Sequence, residues 1–346
     1  MARTSSAVAW WASAWSGLRW LSGGNSARVL GLLLAAVFTV LAVRQVDLGQ
    51  VGLLSQPPNL LWLAVALGLA LANIPLKAWR WRLLMGTAAA PAFGQVVRAL
   101  ILGQFANIGL PLRIGDVARV VALSRESGDN ALTLSATVVV ERWLDVAILC
   151  ASLIGLLPLL VLPTWFGWLR GPGVFIVGLG AVGFLALLIG RRAITRLAAR
   201  VTTRVPARLA AVITQFAAGF DVLSDARAAG LVWGLTVVSW AISVAINAVV
   251  ALALGLVLPV TAPTFVLLVL SLGATLPSAP LRIGNVEYLC ILALGLFGVA
   301  PTPALSYGLL LHGIGFAWPV ILGPALLTWP SVARLFTWRA KPREAP

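Results

Sequence analysis

The sequence predicts an all-α polytopic membrane protein, and three observations carry that prediction. Hydrophobic residues make up 60% of the 346 residues and charged residues 10%, with a mean hydropathy of +1.00, whereas about a quarter of a soluble domain is charged. The apolar residues fall in long continuous runs rich in Leu, Ala and Val, not in the short alternating strands of an outer-membrane barrel. The formal charge of +15 then fits the Lys and Arg of cytoplasmic loops rather than a nucleic-acid surface.

Taken in order, residues 1–28 carry Trp10, Trp11, Trp15 and Trp20, indole rings suited to a short interfacial segment. No compact apolar core with a small-residue cleavage site marks a removable signal peptide there. A transmembrane domain follows over 29–328, with six crossings expected at 29–43, 59–77, 131–153, 174–189, 230–258 and 303–327, at about 20 residues per crossing. Arg3, Arg19 and Arg28 precede the first crossing, and Arg334, Arg339, Lys341 and Arg343 follow the last, which places both termini in the cytoplasm. Lys77, Arg80 and Arg82 read as cytoplasmic charge beyond the second crossing, with Arg119 and Arg125 before the third. The stretch 96–123 between them must leave and return on that side, as a re-entrant hairpin. By the same reasoning 265–299 is a second hairpin, entering from the outer face; read instead as two full spans it would give eight crossings, for which its halves are short. Two half-repeats result, about 59–155 and 230–328. The linker between them, 190–228, carries Arg192, Arg196, Arg200, Arg204 and Arg208 at every fourth residue, a basic amphipathic helix bent near Pro206. A basic cytoplasmic tail, 329–346, closes the chain.

The phrase Pro-Leu-Arg-Ile-Gly occurs at 111–115 and again at 280–284, followed by Asp116-Val117 in one copy and Asn285-Val286 in the other. Each copy falls at the turn of one hairpin, and the hairpins point in opposite senses, which is an inverted-topology repeat with its site near the membrane midplane. Irregular backbone at that depth is tolerated only where it is buried or lines a polar cavity. Gly115-Asp116 and Gly284-Asn285 each read as a turn followed by an N-cap, so that a half-helix begins there with free N–H groups aimed inward. Such termini attract anions, and the guanidiniums of Arg113 and Arg282 suit bidentate phosphate recognition. Glu287 falls in the first turn of its half-helix, where a carboxylate is favoured.

Ionisable groups inside spans face a bundle interior or a cavity. Arg113, Arg119, Arg142 and Arg282 stand against Asp116, Glu141, Asp145 and Glu287. Glu141 and Asp145, four residues apart, share a helix face, and Arg142 reaches Asp145 at i+3. Two readings stay open: a substrate site, or structural ion pairs that hold the hairpins in place. Asn107, Gln104 and Asn247 either line the same cavity or make helix-to-helix hydrogen bonds. His312 stands without a second ligand or nucleophile, which favours core packing or a lone hydrogen bond over a proton relay. Cys150 and Cys290 lie in apolar runs as small buried hydrophobes. The chain lacks HExxH, GxSxG, P-loop and dinucleotide-binding motifs, so neither an enzyme nor a cofactor or metal site is expected.

The pattern Asn107-x-x-x-Pro111-x-Arg113-x-Gly115-Asp116-x-x-Arg119, then Glu141-Arg142-x-x-Asp145, then Pro280-x-x-x-Gly284-x-x-Glu287 resembles the signature of the lysylphosphatidylglycerol synthase transmembrane family, also called the flippase-like domain. The resemblance runs from about 59 to 327. It departs from the usual family pattern at Asp116, where Glu is common, and at Pro280-Leu281-Arg282, where a Pro-Gly-Gly run is common. The family's fused enzymes carry a soluble aminoacyl-transferase domain after the membrane part, which this sequence does not show. The resemblance implies a membrane part that moves lipids such as aminoacylated phosphatidylglycerol between leaflets; the leading expectation is a plasma-membrane flippase for an anionic or zwitterionic phospholipid or a polyprenyl-phosphate-linked lipid. Arg113, Arg282, Asn107, Asp116, Arg119 and Asn285 would then bind substrate, and Glu141, Arg142, Asp145 and Glu287 would couple charge or protons or form ion pairs. Rival expectations are an accessory subunit presenting a lipid-linked precursor to a separate transferase and, last, a membrane-embedded transferase.

Overall fold

Asn59 opens the first helix of the computed structural model, which describes residues 57–86, 90–109, 114–159, 225–274 and 284–327 together with 206, 210, 213 and 214. Among these residues are eight α-helices and no strand: α1 (Leu60–Leu84), α2 (Phe93–Gly109), α3 (Gly115–Ser127), α4 (Ala131–Leu156), α5 (Ala226–Ala253), α6 (Thr261–Gly273), α7 (Asn285–Gly295) and α8 (Pro301–Leu327). Polar residues start three of the long ones. The side chains of Asn59, Asn130 and Asp225 accept from the backbone N–H two residues ahead in α1, α4 and α5, each satisfying a donor that the helix leaves unpaired.

Four helices are long and apolar enough to cross a membrane, at Leu60–Leu84, Ala131–Leu159, Ala226–Ala253 and Pro301–Leu326. The chain is a multi-pass helical membrane protein. These four match the expected second, third, fifth and sixth crossings. The expected crossings at 29–43 and 174–189, the Trp-rich segment and the basic tail lie outside the described residues, as do the arginines of the linker.

Two boundaries differ from expectation in instructive ways. Helix α1 does not stop near residue 77 but continues to Leu84, so Lys77, Arg80 and Arg82 are helical residues of the span rather than a loop beyond it. A helix survives a local drop in hydropathy when its charges find partners inside the bundle. Helix α5 ends earlier than 258, at Ala253, where Gly255 at φ +68° turns the chain in a conformation that suits glycine.

The remaining helices form two pairs, α2–α3 and α6–α7, each inserted between long helices. At 1.5 Å per residue the four arms are roughly 25, 20, 20 and 17 Å long, against about 30 Å of bilayer hydrocarbon. The first pair is rooted at the C-terminal end of α1: Arg82 Nε donates to Pro91 O at 2.9 Å, Arg98 pairs with Glu126, and the Ser124 hydroxyl donates to Asp129 O at 2.6 Å. The second hangs from the other end, where Asn59 N donates to Ala253 O at 2.8 Å.

In each pair a glycine in the first arm lies against the second arm. A Cβ on Gly103 would meet Gly115 O at 2.8 Å and Arg119 Cβ at 2.9 Å, and one on Gly273 would strike the Leu289 side chain. Helix α8 buttresses both pairs, Gly308 lying against Glu287 and Cys290 of α7 and Gly323 against Phe105 of α2. Buried apolar side chains fill the space between: Trp81, Val96, Leu100, Leu123 and Leu134 around α2–α3, and Val250, Phe265, Val266, Ile291, Leu294 and Tyr307 around α6–α7.

Candidate functional site

Asn73, Lys77 and Arg80 recur at i, i+4 and i+7 of α1 and so share one face of it. The face turns inward. Asn73 exchanges hydrogen bonds with α5, its Nδ2 donating to Ser239 O and Ser243 Oγ at 3.3 Å each while its Oδ1 accepts from Ser239 Oγ at 2.8 Å. Arg80, 2% exposed, places Nη2 2.8 Å from Glu141 Oε1 and Nη1 2.8 Å from Asp145 Oδ1, both on α4.

The second guanidinium on Glu141 comes from α3. Arg119 Nη2 lies 2.9 Å from Glu141 Oε2, so each carboxylate oxygen of one glutamate receives a different arginine. Arg119 also stacks over Trp81, its Cζ 4.5 Å from the ring centroid, where the ring's negative face favours a desolvated cation. Asp116, one turn earlier on α3, lies 3.3 Å from Arg119 Nε and takes a two-pronged contact from Arg142, with Nη2 at 2.9 Å and Nε at 3.2 Å. Arg142 completes the circuit through Nη1 to Asp145 Oδ2 at 3.1 Å. Trp240 of α5 donates its Nε1–H to Asp145 Oδ1 at 3.2 Å. Four helices thus meet in one network, and removing one partner from such a buried set costs about 3–5 kcal/mol.

The sequence-predicted residues divide accordingly. Asp116, Arg119, Glu141, Arg142 and Asp145 come together as one group. Asn107 stands beside it, its Oδ1 accepting from Gly115 N at 2.8 Å and so holding the opening of α3. Glu287 belongs to a separate group: its Oε2 accepts from Gly284 N at 2.8 Å, and its Oε1 lies 2.7 Å from His312 Nδ1, the lone hydrogen bond expected of that histidine. Asn247 links helices, accepting from Tyr307 Oη at 2.8 Å. Gln104 is half-buried on α2, Cys150 half-buried on α4 and Cys290 buried on α7. Arg113 and Arg282 lie outside the described residues.

The expected caps require correction. Helix α3 already includes Gly115, which leaves Asp116 in its first turn with its carboxylate on arginines rather than on the helix N–H groups. Asn285 does not cap α7 either. Gly284 takes the cap position at φ +84°, and Asn285 Nδ2 reaches back to Gly273 O at 3.4 Å. At Asp116 the arginines take the carboxylate that capping would use; at Asn285 the side chain is turned back toward the first arm and caps nothing.

Arg80, Trp81 and Trp240 were not legible as site residues. For Arg80 the signal was the polar stripe with Asn73 and Lys77; the charge after an apolar run masked it. Chemically the site can hold, orient and exchange charge. Among the described residues no group of three or more His, Cys, Asp and Glu side chains is placed to hold a metal ion.

The sequence model of one protein family, described as the lysylphosphatidylglycerol synthase TM region, matches residues 28–323. No curated protein and no solved structure matches the chain.

Proposed function

We propose a function from the premise that this chain belongs to the lysylphosphatidylglycerol synthase transmembrane-region family: it moves a phosphate-bearing lipid between the leaflets of the plasma membrane. The observation that supports this most is the sharing of Glu141 between Arg80 of α1 and Arg119 of α3. An ion-pair network with Arg80, Arg119 and Glu141 buried inside apolar spans is costly to build, and intramembrane charge of this kind marks a substrate or ion pathway.

In this reading α2–α3 and α6–α7 are re-entrant hairpins of an inverted repeat, entering from opposite faces, and their turns carry Arg113 and Arg282 toward the lipid phosphate. Asn107 and Asn285 shape the two turns. Asp116, Arg119, Arg142 and Asp145 form a set of exchangeable partners, so that a phosphate entering the site can take an arginine from a carboxylate without leaving a bare charge behind. Glu141, Asp145 and Glu287 are the candidate carriers of a coupling proton. The chain would then act without a chemical step, as a transporter rather than an enzyme.

Purified protein in liposomes with fluorescent lipids of several head groups tests this. Head-group-dependent translocation that is lost in Arg113→Ala and in Arg282→Ala is expected. Translocation of no lipid by wild-type protein would overturn it and favour an accessory subunit that presents a lipid-linked precursor to a separate transferase.

A further inference from the structure

Lys77 occupies the middle of the inward stripe of α1, between Asn73, which bonds α5, and Arg80, whose two terminal nitrogens pair with Glu141 and Asp145. It is half-buried and lies in the field of Arg80, Asp145, Glu141 and Arg142, yet among the described residues it has neither an ion pair nor a hydrogen bond. The consequence is arithmetic. Lys77, Arg80, Arg119 and Arg142 are four basic groups, and Asp116, Glu141 and Asp145 are three carboxylates, so with Lys77 protonated the network carries one positive charge in excess. A surplus charge among apolar spans calls for an anion.

An apolar groove begins at the same level. Helices α4, α5 and α6 leave a trough lined by Ile148, Leu149, Ser152, Val244 and Leu267, with Trp240 at one end. Trp240 joins the two features: its ring lines the groove while its Nε1–H donates to Asp145. The depths agree, because Asn73 bonds Ser239 and Ser243 and Arg80 bonds Thr236 on the antiparallel α5, which places Lys77 between those levels, close in depth to Trp240. From Asp145 to Ser152 the groove extends roughly 10 Å along α4.

We propose that this groove seats one acyl chain of a lipid whose anionic phosphate is held by Lys77 at the head of the groove, with Trp240 at the junction. The charge excess selects the occupant: an anionic phospholipid satisfies Lys77, whereas a zwitterionic one brings a cation of its own to the network. This seat rests on the lipid-transport reading for its role but not for its existence, since it is a binding site whether or not the lipid crosses.

The test reads binding alone. The full-length protein in nanodiscs is exposed to phosphatidylglycerol or phosphatidylcholine carrying the same photoactivatable diazirine in the acyl chain, and adducts are mapped by mass spectrometry. In wild type, adducts at residues 148–152 and 240–244 should be several-fold more abundant with phosphatidylglycerol. Lys77→Gln should erase that preference, Lys77→Arg should keep it, and Ala241→Phe, which fills the groove, should reduce adducts from both lipids. Each variant is compared at matched elution profile and thermal midpoint. Adducts elsewhere, equal yields from the two lipids in wild type, or a preference that persists in Lys77→Gln would overturn the proposal; should Lys77→Gln fail to fold, the wild-type map and Ala241→Phe decide it. Selective binding without translocation in the liposome assay would leave this seat standing and sink the transport reading only.

Discussion

Glu141 is 3% exposed and holds two guanidiniums from two different helices, so its loss strands both. Replacement by Gln keeps the shape and removes the charge. Glu141→Gln should therefore destabilise the protein by about 3–5 kcal/mol, the cost of breaking a buried pair, seen as a lower thermal midpoint in detergent. Arg142 offers the contrast. Its side chain is 40% exposed, so it is less enclosed than Glu141 and leaves no second arginine stranded, and Arg142→Met should lower the thermal midpoint by clearly less than Glu141→Gln on the same measurement. If the two variants melted alike, the network would not be carried by Glu141. Part of this was readable along the chain: the i+3 spacing of Arg142 and Asp145 foretold their contact, because helical geometry is local. The partnership of Arg80 with Glu141, 61 residues away, had no such local trace.

At the scale of elements, the glycines of the short-helix pairs are the sharpest test of how the arms pack. Gly103 touches the opposing backbone, whereas a Cβ on Gly68 of α1 would meet nothing within 4 Å. Gly68→Ala should be neutral or stabilising by up to about 1 kcal/mol, as expected for an exposed helical glycine. Gly103→Ala should lower the thermal midpoint and disturb transport, because α3 must shift off α2 to admit the methyl group. Equal effects of the two substitutions would show that the arms are not in close contact. Gly284 adds a backbone test: at φ +84° a Cβ is strained, so Gly284→Ala should destabilise the start of α7 by about 1 kcal/mol or more. The existence and type of these elements were legible from apolar runs and from the repeated phrase. Their ends were not, since Asp116 and Asn285 answer to tertiary partners rather than to the helix termini beside them.

For the whole molecule, the connectivity roots α2–α3 at one end of α1 and α6–α7 at the other. In a background of Cys150→Ala and Cys290→Ala, single cysteines at Ala92 and at Val257, the latter 98% exposed, should be labelled by membrane-impermeant maleimide from opposite sides of oriented vesicles. Labelling from one side would overturn the inverted arrangement. Length, hydropathy and positive charge by themselves determined that this is a multi-pass helical membrane protein, and the motifs its family, because those properties are sums or short spacings along the chain. Tertiary structure alone decided that Arg80 is an interior residue, that Glu141 is shared, that Glu287 pairs with His312 apart from the main network, and that Lys77 is left over. Those facts depend on which helix faces which. A charge inside a bundle is defined by its neighbours in space, and its neighbours come from distant parts of the chain.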